Sequence, residues 1–222
     1  MKPIWKFRLL GLVIVALVAL FSITSLVAEF IRPAGLPLPS RDGTAPSAQA
    51  LSAAELAATI APFRTSLKAD YAIALAGKAL RSSEPGAQSV GNEAAQKAAT
   101  SALKFGPHDS RMWLVLAQLR AQKNPADPLA TEALKMSYLT GPNRAELIPI
   151  RLDMVTLNNA LNDADLNELA RSDVRAVLTQ YSGQRPALAR DYVRASAAGK
   201  KFLEDSTRML DPAFADSLKD AK

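Results

Sequence analysis

The polar and apolar positions of the chain fall into three regimes. From Leu9 to Ala28 twenty consecutive residues carry no charge, LLGLVIVALVALFSITSLVA. At about 1.5 Å per residue such a helix is about 30 Å long, the thickness of a bilayer's hydrocarbon core. Residues 33–50, PAGLPLPSRDGTAPSAQA, have no apolar period. Pro33, Pro37, Pro39 and Pro46, with Gly35 and Gly43, exclude a helix or strand running through them. After Leu51, apolar residues recur three and four apart in Ala- and Leu-rich segments separated by Gly, Pro, Asn and Asp, which is the period of amphipathic helices.

This spacing predicts helices over 52–60, 63–83, 92–105, 109–123, 128–140, 145–159, 163–181, 186–205 and 212–220. Ser52 with Glu55 and Asn143 with Glu146 have the capping-box spacing, and Asp127-Pro128 and Asp211-Pro212 each set a cap residue before a proline that needs no donor. Runs of alternating β-branched residues are absent. The expected fold class is therefore all-α: a stub and transmembrane anchor over 1–32, a flexible Pro-rich tether over 33–50, and an α-helical repeat-like domain over 51–222.

The apolar run is longer than the core of a cleaved signal peptide, and Leu26 stands two places before Ala28 where a cleavage site favours a small residue. An uncleaved signal anchor fits better. Lys2, Lys6 and Arg8 precede the run, while Glu29 and Arg32 cancel after it, so the positive-inside rule keeps the N-terminus in the cytoplasm. Trp5, Phe7 and Phe30 fall where aromatic residues anchor at the two interfaces. The Ala- and Arg-rich composition suits a bacterium with two membranes, which would make the location the inner membrane and put the helical domain in the periplasm. The tether spans about 25 Å as a flexible coil and about 55 Å if polyproline-like, enough to hold that domain clear of the head groups.

Shifting the chain by 35 places lays Phe105-Gly106-Pro107 on Thr140-Gly141-Pro142, Ala98 on Ala133, Ala102 on Ser137 and Leu103 on Tyr138. A period of this size marks stacked helix pairs. Over residues 92–159 the pattern resembles the tetratricopeptide repeat. Trp113, Leu116 and Ala117 are similar to the bulky, apolar and small positions of that family's first helix. Ala130, Leu134, Ser137 and Pro142 are similar to those of its second, with one residue inserted between the helices. Arg120 departs from the usual Tyr, and Ile148, followed by Pro149, stands at the next Trp position. The resemblance implies a concave surface for a peptide or a partner's helix, whose exposed positions here would be Arg111, Leu114, Gln118, Glu146 and Asp153. It does not reproduce the Lys and Asn set that clamps a terminal carboxylate. Solvated helix positions remain the competing reading of the five.

Composition removes several chemistries. With no Cys, the chain has no disulfide, thiol nucleophile or thiolate metal site. Of the formal charge of +6, half lies in residues 1–32, and aromatic residues are 6% of the chain, so no nucleic-acid partner is expected. The one histidine, His108, precedes Asp109 at a helix start; no nucleophile signature accompanies the pair, and helix capping explains it. Asn162-Asp163-Ala164-Asp165 opens like a calcium loop, but Glu168 and Val174 stand where Gly and Glu are required, and an acidic first turn explains it better. No metal site, catalytic residue or cofactor is predicted.

Between Arg171 and Lys201 seven basic residues accompany two acidic ones, Asp173 and Asp191. A helix over 186–205 would put Arg190, Arg194 and Lys201 on one face, opposite Leu188, Tyr192 and Phe202. That basic face is either solvated or a site for an acidic partner, anionic lipid or anionic glycan. The sequence thus predicts a non-enzymatic, membrane-anchored scaffold or assembly factor that recruits protein partners to a cell-envelope membrane complex. The alternative is a polyanion- or polysaccharide-binding accessory module using the basic face.

Overall fold

The computed structural model describes residues 3–82 and 84–220. Among them the ordered elements are all helical, as expected, and they form two compact units, Met1–Gly106 and Pro107–Lys222.

The first unit holds α1 (Pro3–Ile31), α2 (Ala48–Ile60), α3 (Thr65–Ala79) and α4 (Pro85–Phe105). α1 is long and apolar enough to cross a membrane, and the mean hydropathy of its most apolar 18 residues is 2.7. Two of its three hydroxyls bond back to the helix, as an apolar medium favours: Ser22 Oγ donates to the carbonyl of Val18 at 2.8 Å and Thr24 Oγ1 to that of Leu20 at 3.0 Å. Its last turns pack on the rest of the unit. Ala28 is fully buried with Ala57, Ala61 and Leu67, flanked by Ile31 and Ile60.

Residues 33–50 depart from the expected free tether. The last three already belong to α2, because Ser47 rather than Ser52 is the cap and accepts from the backbone N–H of Ala50 at 3.1 Å. The preceding stretch lies on α3. Arg81 Nη2 donates to the Ser40 carbonyl at 2.8 Å, Pro39 is buried, and Pro46 occupies the space a side chain at Gly77 would need. Prolines exclude regular structure without excluding packing, and their fixed φ makes docking less costly in entropy.

α3 and α4 form an antiparallel hairpin in which Thr65 meets Gly106 and Ala79 meets Gly91. In that register Ala69, Ala72 and Ala76 share levels with Ala102, Ala99 and Ala95, all of them fully buried. Small side chains bring the two backbones close.

The second unit contains α5 (Ser110–Lys123), α6 (Pro128–Thr140), α7 (Ile148–Leu157), α8 (Ala164–Thr179), α9 (Arg185–Arg194), α10 (Ala197–Arg208) and α11 (Pro212–Asp220), with short 3-10 turns at Ala145–Leu147, Asn159–Asn162 and Ser182–Gln184. Four Asp residues set helix starts through their carboxylates: Asp109 accepts from Arg111 N, Asp127 from Leu129 N, Asp163 from Leu166 N and Asp211 from Phe214 N, at 3.0–3.1 Å. Asn143 does not cap; the chain enters α7 through the 3-10 turn, and Pro149 is accommodated in the first turn of α7.

α5 and α6 form the second close hairpin, and its junction repeats that of the first. Gly106 ends α4 against Thr65, the first residue of α3; Gly141 ends α6 against Ser110, the first residue of α5. A Cβ at either glycine would overlap its partner, which accounts for the glycine of the pair that recurs at a shift of 35. α7 then serves as the centre on which α8, α9 and α10 pack.

Candidate functional site

The proposed groove positions lie on α5, the turn before α7, and α7 itself. Arg111 folds back on its own helix cap, with Nη2 at 2.8 Å and Nε at 3.1 Å from Asp109. Glu146 is exposed and pairs with Arg144 at 2.6 Å. Its carboxyl sits below the usual range: partial burial works against this, and a backbone N–H, Arg144 and Arg111 outweigh it. Arg111, Arg144 and Glu146 therefore form one charged edge.

Leu114 does not belong to that edge. It is 1% exposed and lies in the core with Met112, Val115, Leu116 and Leu119. α5 is apolar around most of its circumference, so a stripe chosen by family register alone passes through its buried side. The run Met112–Leu119 carries that signal in its near-continuous apolar character. Gln118 is half-buried on the same helix.

Asp153 and Arg194, assigned by sequence to two different surfaces, meet. Arg194 Nη2 lies 3.3 Å from Asp153 Oδ1 and 2.8 Å from Asp191 Oδ1. Asp191 is buried, and its carboxyl is pushed up to about 7, chiefly by that burial; Arg194 pulls it down and the Asp153 charge pushes it up. Two carboxylates from α7 and α9 thus share one guanidinium.

The same contact breaks up the expected basic face. The helix foreseen over 186–205 stops at Ala195, and a new one starts at Ala197 with Ser196 as its cap. Ser196 donates twice to the Thr156 carbonyl at the end of α7, through its N–H at 3.0 Å and its hydroxyl at 2.8 Å. Gly199 then rests directly on the Thr156 backbone, where any Cβ would overlap the carbonyl oxygen. Arg190 is exposed on α9, Arg194 is turned onto carboxylates, and Lys201 on α10 pairs with Asp205 at 2.9 Å. The three do not line one helix face.

A second polar cluster, unforeseen, joins α6, α7 and α8. Arg151 is 0% exposed. Its Nε donates to Ser137 Oγ at 3.1 Å, and Nη2 donates to the carbonyls of Ser137 and of Gly141, the latter at 2.9 Å. It therefore caps the carbonyl end of α6, where the helix dipole favours a cation. The guanidinium carbon lies 4.5 Å from the centre of the Tyr138 ring. Asp173 on α8 is buried beside them, and burial pushes its carboxyl up to about 7 against the pull of Arg151 and Tyr138. The sequence did carry a sign of this: Ile148, Arg151, Leu152 and Val155 form one helical stripe, with a charge in the middle of an apolar face.

Asp163 and Asp165, at the start of α8, hold the ammonium of Lys135 at 2.6 and 3.3 Å. A cation already belonging to the fold neutralises them. Among the described residues no group of three or more His, Cys, Asp or Glu is placed to hold a metal. His108 is exposed next to the cap residue Asp109.

A cleft of about 250 Å³ opens where the ends of α5 and α7 meet the α5–α6 turn, lined by Ala121, Pro125, Pro128, Ala130, Met154 and Ala160 among others. Met154 adjoins Asp153, so this small, mostly apolar recess lies one residue from the Asp153–Arg194–Asp191 cluster. No family model matches the chain, and neither a curated protein nor a solved structure matches it.

Proposed function

We propose that the chain is a membrane-anchored, tetratricopeptide-like scaffold that recruits a protein partner to a membrane complex of the bacterial cell envelope, with α1 in the inner membrane and the helical units in the periplasm. The observation that carries this reading is the repeated hairpin junction, in which the glycine ending each second helix sits on the first residue of its own hairpin, Gly106 on Thr65 and Gly141 on Ser110. Repeated hairpins offer extended side-chain surfaces without a dedicated active site.

The partner surface in this reading follows α5 and α7. Arg111, Gln118 and Glu146 provide its polar part, and the recess beside Met154 takes an apolar side chain of the partner, in the usual arrangement of an anchor residue within a polar rim. Confinement to the membrane plane raises the local concentration of a partner in the same bilayer. Asp153 has a structural share as well, since it helps neutralise Arg194.

The test is crosslinking in cells, followed by purification of the full-length protein in mild detergent and mass spectrometry. A partner present in stoichiometric amount with the wild type and lost with Arg111→Ala, Gln118→Ala and Glu146→Ala combined, helicity being unchanged, is the expected result. Undiminished recovery of that partner, or the protein recovered alone, overturns the reading.

A further inference from the structure

The first unit is tied to α1 at a level that the length of α1 itself defines. Leu9–Ala28 is about 30 Å of helix, so Ala28 stands at the edge of the hydrocarbon core when α1 crosses a bilayer. Ala28 is also the residue buried against Ala57, Ala61 and Leu67. Two ion pairs hold the same joint just beyond it: Glu29 to Arg64 at 2.9 Å and Arg32 to Asp70 at 2.6 Å. The α2–α3 turn, residues 61–64, is therefore fixed within about one helix diameter of the membrane edge.

The surface presented there is apolar. Phe63, in that turn, is 72% exposed, and Phe30 on α1 is 83% exposed. The end of α4 reaches the same place, because Gly106 abuts Thr65, two residues after Phe63. It brings Phe105, 51% exposed, whose ring centre lies 5.0 Å from Lys68 Nζ, and its neighbour Lys104. Exposed rings gathered at one end of a helical unit, with lysines beside them, are costly in water and suited to the boundary between acyl chains and head groups.

We propose that this end of the first unit is a lipid-binding surface, seated on the same bilayer that α1 crosses, with Phe63 and Phe105 at the acyl–head-group boundary and Lys68 and Lys104 directed to lipid phosphates. The inference rests on α1 spanning the membrane. It makes the membrane itself a second attachment point, so that the unit stands in one orientation rather than swinging on a tether.

The absence of Cys from the chain allows single labels. Phe63→Cys, Phe105→Cys, Val90→Cys and Leu17→Cys, each carrying an environment-sensitive fluorophore, are reconstituted as full-length protein in phosphatidylcholine–phosphatidylglycerol vesicles. Nitroxide lipids labelled near the head group or deep in the acyl chain serve as quenchers. Val90 lies about 22 Å along α4 from Phe105 and serves as the distant exposed position. The expected result is a blue shift and loss of emission at Phe63→Cys and Phe105→Cys with the shallow quencher, no loss at Val90→Cys, and loss at Leu17→Cys with the deep one. Quenching at Leu17→Cys without quenching at Phe63→Cys and Phe105→Cys overturns the lipid surface and leaves the span standing. No quenching at Leu17→Cys overturns the span and the surface with it.

Discussion

Gly199→Ala measures how tightly α10 is seated on α7. The added Cβ would overlap the Thr156 carbonyl oxygen, and because its obstacle is backbone, no rotamer change relieves it. α10 must move away, which strains the packing by about 1–3 kcal/mol. The movement also pulls on the two bonds from Ser196 to Thr156, at 3.0 and 2.8 Å, each contributing about 1 kcal/mol. Opposing this, Ala is favoured over Gly in a helix by about 1 kcal/mol. The net expectation is destabilisation of about 3 kcal/mol. Gly86→Ala provides the contrast, since nothing lies within 4 Å of a Cβ there and only the favourable helix effect remains. Urea unfolding of the full-length protein in detergent, followed by circular dichroism, gives the global value, and amide exchange along α10 gives the local one. If Gly199→Ala matches Gly86→Ala in stability and leaves exchange in α10 unchanged, the close approach of α10 to α7 is refuted.

Arg151→Met removes the donor to the end of α6 and leaves two buried carbonyls and the Ser137 hydroxyl without it, so a loss of about 3 kcal/mol is expected in the same urea assay, and an unchanged midpoint would count against the cap. The Asp191 carboxyl rises from its ordinary 3.8 to about 7 in the folded protein. A folded state that binds the proton more tightly is favoured below about pH 4 and loses that contribution as pH rises through about 7. The melting temperature of the wild type should therefore fall between about pH 5 and about pH 8, and Asp191→Asn should flatten the fall; an identical slope in the variant would exclude Asp191 as its source. Ala28→Leu forces a larger side chain into the fully buried contact with Ala57 and Ala61, at a cost of about 1–3 kcal/mol. Tryptic cleavage at Arg41 should then be faster than in the wild type, because residues 33–47 lose their fixed backing; equal cleavage rates would argue against a rigid joint.

Local chemistry made much of this fold legible. Asp127-Pro128 and Asp211-Pro212 announced helix starts because an Asp cap and a proline act within three residues of one another. The Gly-Pro pairs at 106 and 141 were visible as a repeat, although the reason for glycine, the first residue of each hairpin pressing against it, lies 41 residues earlier for Gly106 and 31 for Gly141. Ser52 with Glu55 has the capping-box spacing, yet the helix starts at Ala48 with Ser47 as its cap, five residues earlier than that spacing indicates. Arg194 and Asp153 are separated by 41 positions, so neither the loss of the basic face nor the joining of two separately predicted surfaces had any local signature. Arg151 differs, since its place inside an apolar stripe was readable and points to a buried, partnered cation. Leu114 shows the converse, a family register outweighed by the apolar character of the surrounding run.

The alanine seam between α3 and α4 carries little positional information. Methyl groups at three successive levels, Ala69 with Ala102, Ala72 with Ala99 and Ala76 with Ala95, make a nearly smooth stretch of track, along which a one-turn slide of about 5.4 Å would present much the same surface. Long interdigitating side chains would forbid such a slide. Here the alignment depends on an end stop, Thr65 pressed against Gly106, while Ala79 and Gly91 at the other extremity are in ordinary contact. The smooth stretch of the hairpin is thus a low-friction rail clamped at one end, and releasing that clamp would leave the register of the two helices held by little else along it.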